Sequence, residues 1–258
     1  MNKIRKIIIP TDFSEAAENA LNYVAGMIEN DDVIEIFLLH ISDKENTLDE
    51  ETVNQKLDIL KQKFFTNIQS KCNCVLKTGQ LTNTIIQAKD ELAADLIIMG
   101  TEGGEEIFGS KTAQLVLEAD CPVLVVPENT TSFRVKNIAL AMDDSLIEDS
   151  YALGPLQDIA RRFGAKIHVL TISKKDEVLI TEGANEGVLE YYLETLDYHH
   201  AFPKNTNIEE GIRDYVKENK IDMLAILPRN HAHKDSPSEG RLTKLLTLHT
   251  EVPLLTLD

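Results

Sequence analysis

Short apolar runs alternate along this chain with longer stretches in which apolar residues recur every third or fourth position. Lys3 to Pro10 is basic and then apolar (Ile7-Ile8-Ile9) and reads as a strand ending at Pro10-Thr11-Asp12. Ser14 suits a helix N-cap, and Ala17, Ala20, Leu21, Val24 and Ile28 follow at helical spacing until Asp31-Asp32 breaks it. Val33 to Ile41 predicts a second strand. After a polar, acidic connector, Val53, Leu57, Leu60, Phe64 and Ile68 predict a long amphipathic helix. Cys74 to Gly79 is a weaker strand, and Thr82 to Leu92 is a helix with Ile85, Ile86 and Leu92 inward. Then come a strand from Asp95 to Gly100, a glycine-rich turn, a helix opening at Gly109-Ser110, and a strand from Cys121 to Pro127.

After the polar link Glu128 to Phe133 the pattern restarts. Ile138-Ala-Leu-Ala-Met-Asp143 echoes Ile7-Ile-Ile-Pro-Thr-Asp12, and Ala165 to Ser173 echoes Ile34 to Ser42. Ile221-Asp222 to Leu227 matches Ala94-Asp95 to Gly100, and Val252-Pro253 to Leu257 matches Cys121-Pro122 to Val126. Matched landmarks in one order argue for two copies of a unit of about 125 residues, an ordinary domain size. The expected domains are residues 1–129 and 134–258. Alternating strands and helices imply, in each, a parallel sheet covered on both faces.

Charge narrows the partners. The chain has 26 basic and 43 acidic residues, a formal net charge of −17. Residues 1–129 hold 11 of the basic and 22 of the acidic ones. Such a surface disfavours nucleic acid and anionic membranes, so neither is an expected partner. No apolar run reaches the roughly 18 residues of a membrane span, and the run before Pro10 is too short for a signal peptide. Three cysteines, Cys72, Cys74 and Cys121, fit a reducing cytoplasm better than a disulfide scaffold.

The opening strand into Pro10-Thr11-Asp12-Phe13-Ser14, the second strand ending at His40-Ile41, and Asp95-Leu-Ile-Ile-Met-Gly-Thr together resemble the universal stress protein family. So does the Gly109-Ser110 helix start running into Cys121-Pro-Val-Leu-Val-Val-Pro127. The resemblance covers nearly all of the first half and, through the repeat, the second more loosely. It implies an α/β fold of two tandem Rossmann-like domains, each a doubly wound, parallel five-stranded sheet in order 3-2-1-4-5. It further implies self-association through the last strand of each half, inside one chain as a pseudo-dimer or between chains as a homodimer. Val123 to Val126 and Leu254 to Leu257 are the strands concerned.

Nucleotide-binding members of the family carry Gly-x2-Gly-x9-Gly-(Ser/Thr). The first half offers Gly100-x2-Gly103 and Gly109-Ser110, but five residues stand between Gly103 and Gly109 where the pattern has nine. The second half keeps the spacing, Leu227-x2-Asn230-x9-Gly240, and has lost the first two glycines, with Arg241 where Ser110 stands. The resemblance therefore implies a site in which Asp12 and the Ile41 backbone meet adenine or ribose. The Gly100, Gly103, Gly109 and Ser110 region would hold phosphates of ATP or AMP. The alternative is a tight turn that keeps glycines for its geometry.

Glu102, Glu105 and Glu106 crowd that loop. A helix N-terminus attracts an anion by roughly 0.3–1 kcal/mol, whereas one like-charge contact costs on the order of 1 kcal/mol in water. The carboxylates cancel the dipole unless a divalent cation bridges them to phosphate. Gly104-x4-Gly109-Ser-Lys misses a Walker loop by one position, since lysine must follow the second glycine directly.

In the second half Asp143, Arg229, Gly240 and Arg241 are the matching candidates, Arg229 and Arg241 with His231, His233 and Lys234 forming an anion-attracting set. His231-x-His233 with Asp235 is also a weak transition-metal candidate, the simpler reading being solvated imidazoles. No metal site is expected. Cys72-x-Cys74 lacks a second pair for zinc. No nucleophile–base–acid triad is arguable, because Ser14 and Ser110 serve better as N-caps. The expected function is a non-catalytic cytoplasmic stress-response protein with a degenerate adenine-nucleotide site. The alternatives are an ATP-binding, weakly hydrolysing switch and a protein-interaction module without nucleotide.

Overall fold

Each half of the chain folds by the same rule: an apolar strand, a turn, and a helix that returns over the sheet. A computed structural model describes residues 3–28, 34–42, 49–66, 68–102, 111–130, 132–142, 147, 150–173, 185–227 and 241–257. The first half contains β1 (Lys6–Pro10), α1 (Glu15–Ile28), β2 (Glu35–Ser42), α2 (Glu50–Phe65), β3 (Cys72–Thr78), α3 (Leu81–Leu92), β4 (Leu96–Thr101), α4 (Lys111–Glu118) and β5 (Val123–Pro127). The second contains β6 (Asn137–Ala141), a 3-10 turn (Ser150–Leu153), α5 (Gly154–Phe163), β7 (Lys166–Leu170), α6 (Glu186–Leu193), β8 (Tyr198–Ala201), α7 (Ile208–Glu218), β9 (Met223–Ile226), α8 (Arg241–His249) and β10 (Leu254–Thr256).

Among the described residues the ten strands form one sheet in the order β3-β2-β1-β4-β5-β10-β9-β6-β7-β8. Each half is thus a parallel set in order 3-2-1-4-5, the doubly wound α/β fold expected from the resemblance. β5 and β10 meet antiparallel, Leu254 opposite Val125 and Thr256 opposite Val123. Period-two alternation sends successive side chains to opposite faces. Ile7, Ile9, Leu38, Leu96 and Leu124 join α1 and α2 in one core, which continues through Ile138, Ile167 and Leu156 of the second half. Ile8, Phe37, Ile97 and Val123 join α3 and α4 on the other face, continuing through Leu170, Leu224 and α8.

Helix boundaries follow from local chemistry. The Asp49 side chain accepts from Thr52 N, that of Gln80 from Asn83 N, and that of Asn207 from Glu209 N and Glu210 N. Three helices end alike. Ala93, Gly164 and Lys220 are left-handed (φ 51, 60 and 50°), and the next amide reaches back to the carbonyl five residues earlier: Ala94 to Lys89, Ala165 to Ala160, Ile221 to Val216. Each such stop delivers the chain into a strand.

Sequence boundaries shift slightly. α2 ends at Phe65, with Thr66 Oγ1 donating to Gln62 O. Phe65 is the buried ring, while Phe64 and Ile68 are only partly buried against the core. β3 starts at Cys72, where the ladder with Ile36 begins, two residues before the expected Cys74. In α3, Ile85 is fully buried, and Ile86 and Leu92 are half-buried. Val33 lies outside the described residues.

Two carboxylates anchor the central strands. Asp95 Oδ2 accepts from Arg5 N and Lys6 N at 2.8 and 2.9 Å, just before β1 and at its start. Asp222 Oδ2 does the same for Lys136 N and Asn137 N at 2.8 and 2.9 Å, and its Oδ1 pairs with Arg134 Nε. The Ala-Asp and Ile-Asp landmarks before β4 and β9 are therefore staples between the first and fourth strands of each half.

Candidate functional site

The strand order changes direction between β1 and β4, and the crevice beyond their carboxyl ends is where doubly wound sheets hold ligands. β1 pairs with β2 through Pro10 opposite Leu39 and with β4 through Ile8 opposite Ile97. Extending both registers sets Asp12 level with Ile41 and Thr101, and Gly100 level with Thr11. Asp12, Ile41 and Gly100, drawn from three strands, thus share one rim.

Local bonds shape that rim. Thr11 N continues the ladder to Leu39 O at 2.8 Å. His40, buried at 9% exposure, turns Nδ1 to the Thr11 carbonyl at 2.9 Å. A carbonyl only accepts, so Nδ1 carries the proton. Phe13 N donates to Thr11 Oγ1, Ser14 N to Asp12 Oδ1, and Ala17 N to Ser14 Oγ. Ser14 is the N-cap of α1. This tight turn holds Phe13 at φ 68°, a conformation seldom adopted by a bulky residue. The Phe13 ring stacks on His40 with centroids 4.7 Å apart, and Lys56 Nζ lies 5.0 Å from its centroid. The contact of Phe13 with His40 and Lys56 escaped the sequence reading, because the turn geometry that joins them has no periodic signature.

Gly100 has a packing cause independent of any ligand. A Cβ there would stand 2.0 Å from Ala16 O and 2.5 Å from Ala16 C. The first turn of α1 rests on the end of β4, and only glycine permits that approach. Glu128 N donates to Thr101 O at 3.0 Å, and Asn19 Nδ2 to Pro127 O at 2.9 Å, tying β4, β5 and α1 together beside the crevice.

Gly103, Gly109 and Ser110 lie outside the described residues, as do Asp143, Arg229, His231, His233 and Gly240. Arg241 opens α8, as Lys111 opens α4. The second half repeats the strand end, with Met142 N bonded to Leu170 O at 3.0 Å. Among the described residues no group of three or more His, Cys, Asp or Glu is placed to hold a metal ion. No described helix is long and apolar enough to cross a membrane. Burial pushes the Cys72 thiol up to about 12, with Cys74 adding to it, so this dithiol is held protonated.

A sheet in order 3-2-1-4-5 with helices on both faces defines a doubly wound α/β protein. Residues 3–127 match the model of the universal stress protein family. A universal stress protein of Methanocaldococcus jannaschii is 30% identical over 143 residues, 48% of this chain and 83% of that protein. The chain belongs to the universal stress protein family. The crystal structure of a universal stress protein from Archaeoglobus fulgidus aligns over 98% of this chain and 97% of that one, with a TM-score of 0.76 at 18% identity, a likeness of fold. A family protein from Arabidopsis thaliana, solved with AMP bound, covers 48% of this chain and 92% of its own at 22% identity and a TM-score of 0.37.

Proposed function

We propose that this protein is a non-catalytic, adenine-nucleotide-responsive binding protein of the cytoplasm, with its ligand site in the first half and a degenerate counterpart in the second. The observation that carries this reading is the rim: Asp12 with the Ile41 backbone level beside it, and the Gly100 backbone one residue back at the height of Thr11, at the switch point of the sheet. Asp12 and the Ile41 backbone meet adenine or ribose, and the amides of the Gly100 turn, with Gly109 and Ser110, hold phosphate, with a divalent cation offsetting Glu102, Glu105 and Glu106.

Several polar groups of the rim are engaged in building it, Asp12 Oδ1 with Ser14 N, Ser14 Oγ with Ala17 N, and His40 Nδ1 with Thr11 O. That commitment favours binding over acid–base work. In this reading residues 1–129 and 134–258 are the two domains, and the β5–β10 pair is their association. Both strands have neighbours on each side, which supports an association within one chain.

The test is to heat-release any bound nucleotide from purified protein, then measure melting with millimolar ATP or AMP, with and without magnesium. A ligand at 100 times its Kd stabilises by about 2.7 kcal/mol, so a clear rise in Tm is expected, abolished by Asp12→Ala and by Gly109→Val. If no adenine nucleotide raises Tm, the reading fails in favour of an interaction module. Steady conversion of ATP to ADP would instead establish a hydrolysing switch.

A further inference from the structure

The two halves provide an internal comparison, and at one buried place an apolar side chain of the first is replaced by a polar cluster in the second. On the face of β2 that meets α3, the first half buries Phe37, with Asn73 opposite on β3. At the same register the second half buries His168 on β7, with His199 opposite on β8. The landmark match of Ala94 with Ile221 sets Ala88 of α3 against Tyr215 of α7. An aromatic ring over a small residue has become an imidazole pair under a phenol.

The polar atoms of this set are only partly satisfied. His168 Nδ1 lies 2.9 Å from Tyr215 Oη. The two imidazoles meet edge to face with centroids 4.3 Å apart. Among the described residues, His168 Nε2 and His199 Nδ1, both buried, have no hydrogen-bond partner. A protonated imidazole donates from both nitrogens. Charging His168 either puts an N–H with no acceptor at Nε2, if Nδ1 already donates to Tyr215, or adds an N–H at Nδ1 that forces the Tyr215 hydroxyl to turn away while the Nε2–H stays unpaired. Charging both adds like-charge repulsion at short range.

We propose that the His168–His199–Tyr215 cluster is an acid-sensitive latch, which holds the outer edge of the second half, β8 and the overlying α7, closed while both imidazoles are neutral and releases it when either is protonated. Among the described residues β8 is the last strand of the sheet, with a strand neighbour on one side only. α7 in turn is tied to α8 by Glu209 Oε1 and His249 Nδ1, 3.0 Å apart, so loosening α7 reaches the helix that follows residues 228–240.

The surrounding ionisable groups are Lys166 on β7, Asp197 before β8, His200 on β8 and Tyr215 on α7. Lys166 Nζ and Asp197 Oδ1 pair at 3.4 Å, which leaves little net charge to favour an imidazolium. Burial first, then His199 and Lys166, pushes His168 below the ordinary histidine range, against a small pull from Asp197. Burial and then Lys166 do the same to His199. In the unfolded chain these rings take up protons near pH 6.5. The latch is thus fully present above that pH and weakens as pH falls below it. The folding equilibrium drops by up to about tenfold per pH unit for each histidine until the folded rings charge.

Two measurements test this. Histidine ring NMR of the full chain across pH 4.5–8 is expected to show His168 and His199 titrating below 6.5, and midpoints at or above 6.5 would overturn the latch. Denaturant titrations at pH 7.5, 6.0 and 5.0 are expected to fall more steeply for the wild type than for the His168→Phe/His199→Asn double variant, which borrows the residues of the first half. Equal slopes would overturn it. Should the variant not fold, hydrogen exchange of the wild type, corrected for intrinsic rates, decides between selective loss of protection in β8 and α7 at pH 5.5, as expected, and uniform loss across both halves, which refutes the proposal.

Discussion

At the scale of single residues, the rim of the first half shows how one position answers to two demands. Gly100 belongs to the glycine pattern of a phosphate loop, yet its missing Cβ is also required by Ala16 O, 2.0 Å from where that atom would stand. Gly100→Ala forces backbone against backbone, and neither α1 nor β4 can move without disturbing a core of fully buried residues such as Ala20 and Leu96. Overpacking of this kind costs about 3 kcal/mol. The expected outcome is a lower denaturant midpoint at unchanged slope, whether or not nucleotide is present. A midpoint within error of the wild type would remove the packing explanation and leave the loop's ligand as the reason for glycine. Asp12 is the contrasting case. It is exposed, and among the described residues its carboxylate accepts from the Ser14 amide alone, so it is the rim residue whose loss affects binding more than stability.

At the scale of elements, the repeated helix stop at Ala93, Gly164 and Lys220 explains how strands start in register. Each left-handed residue closes a helix over the carbonyl five residues before the next amide, and the chain then enters β4, β7 or β9. Glycine meets this need at Gly164 without a steric cost, whereas alanine and lysine incur about 1–2 kcal/mol for the left-handed turn. Part of that is offset in glycine by its larger entropy loss on folding. Ala93→Gly is therefore expected to raise stability by roughly 0.5–1 kcal/mol, read as a higher denaturant midpoint. A fall in the midpoint would show that the left-handed conformation of the exposed Ala93 costs less than the extra entropy glycine loses on folding.

For the whole molecule, the two halves are interlocked. The link residue Phe133 packs between Tyr23 of α1, 5.1 Å away, and Phe163 of α5, 4.6 Å away, and its Cβ stands 2.7 Å from where a Cβ on Gly26 would be. Asp158 of α5 accepts from Ile4 N at 3.0 Å, and Arg162 reaches Ile4 O. Both core layers cross the β5–β10 seam. Such continuity predicts one cooperative unfolding transition, with calorimetric and van't Hoff enthalpies equal. Phe133→Ala is expected to lower Tm by a loss of about 3 kcal/mol while keeping the single transition. Two resolved transitions in the wild type would show instead that the halves are energetically separate.

The amino-acid sequence by itself determined the alternation of strands and helices, the repeat, and the family, because these rest on local periods and on landmarks such as Pro10-Thr11-Asp12 and Asp95 that recur in order. It also marked Asp12, Ile41 and Gly100, which the sheet brings to one rim. Only the tertiary structure decided what Asp95 and Asp222 do, why Gly100 must be glycine, how Phe13 comes to lie on His40, and that His168 faces His199 under Tyr215. Those relations join residues far apart along the chain. They depend on strand register and on distances between backbones, and a one-dimensional pattern of apolar and polar positions carries neither.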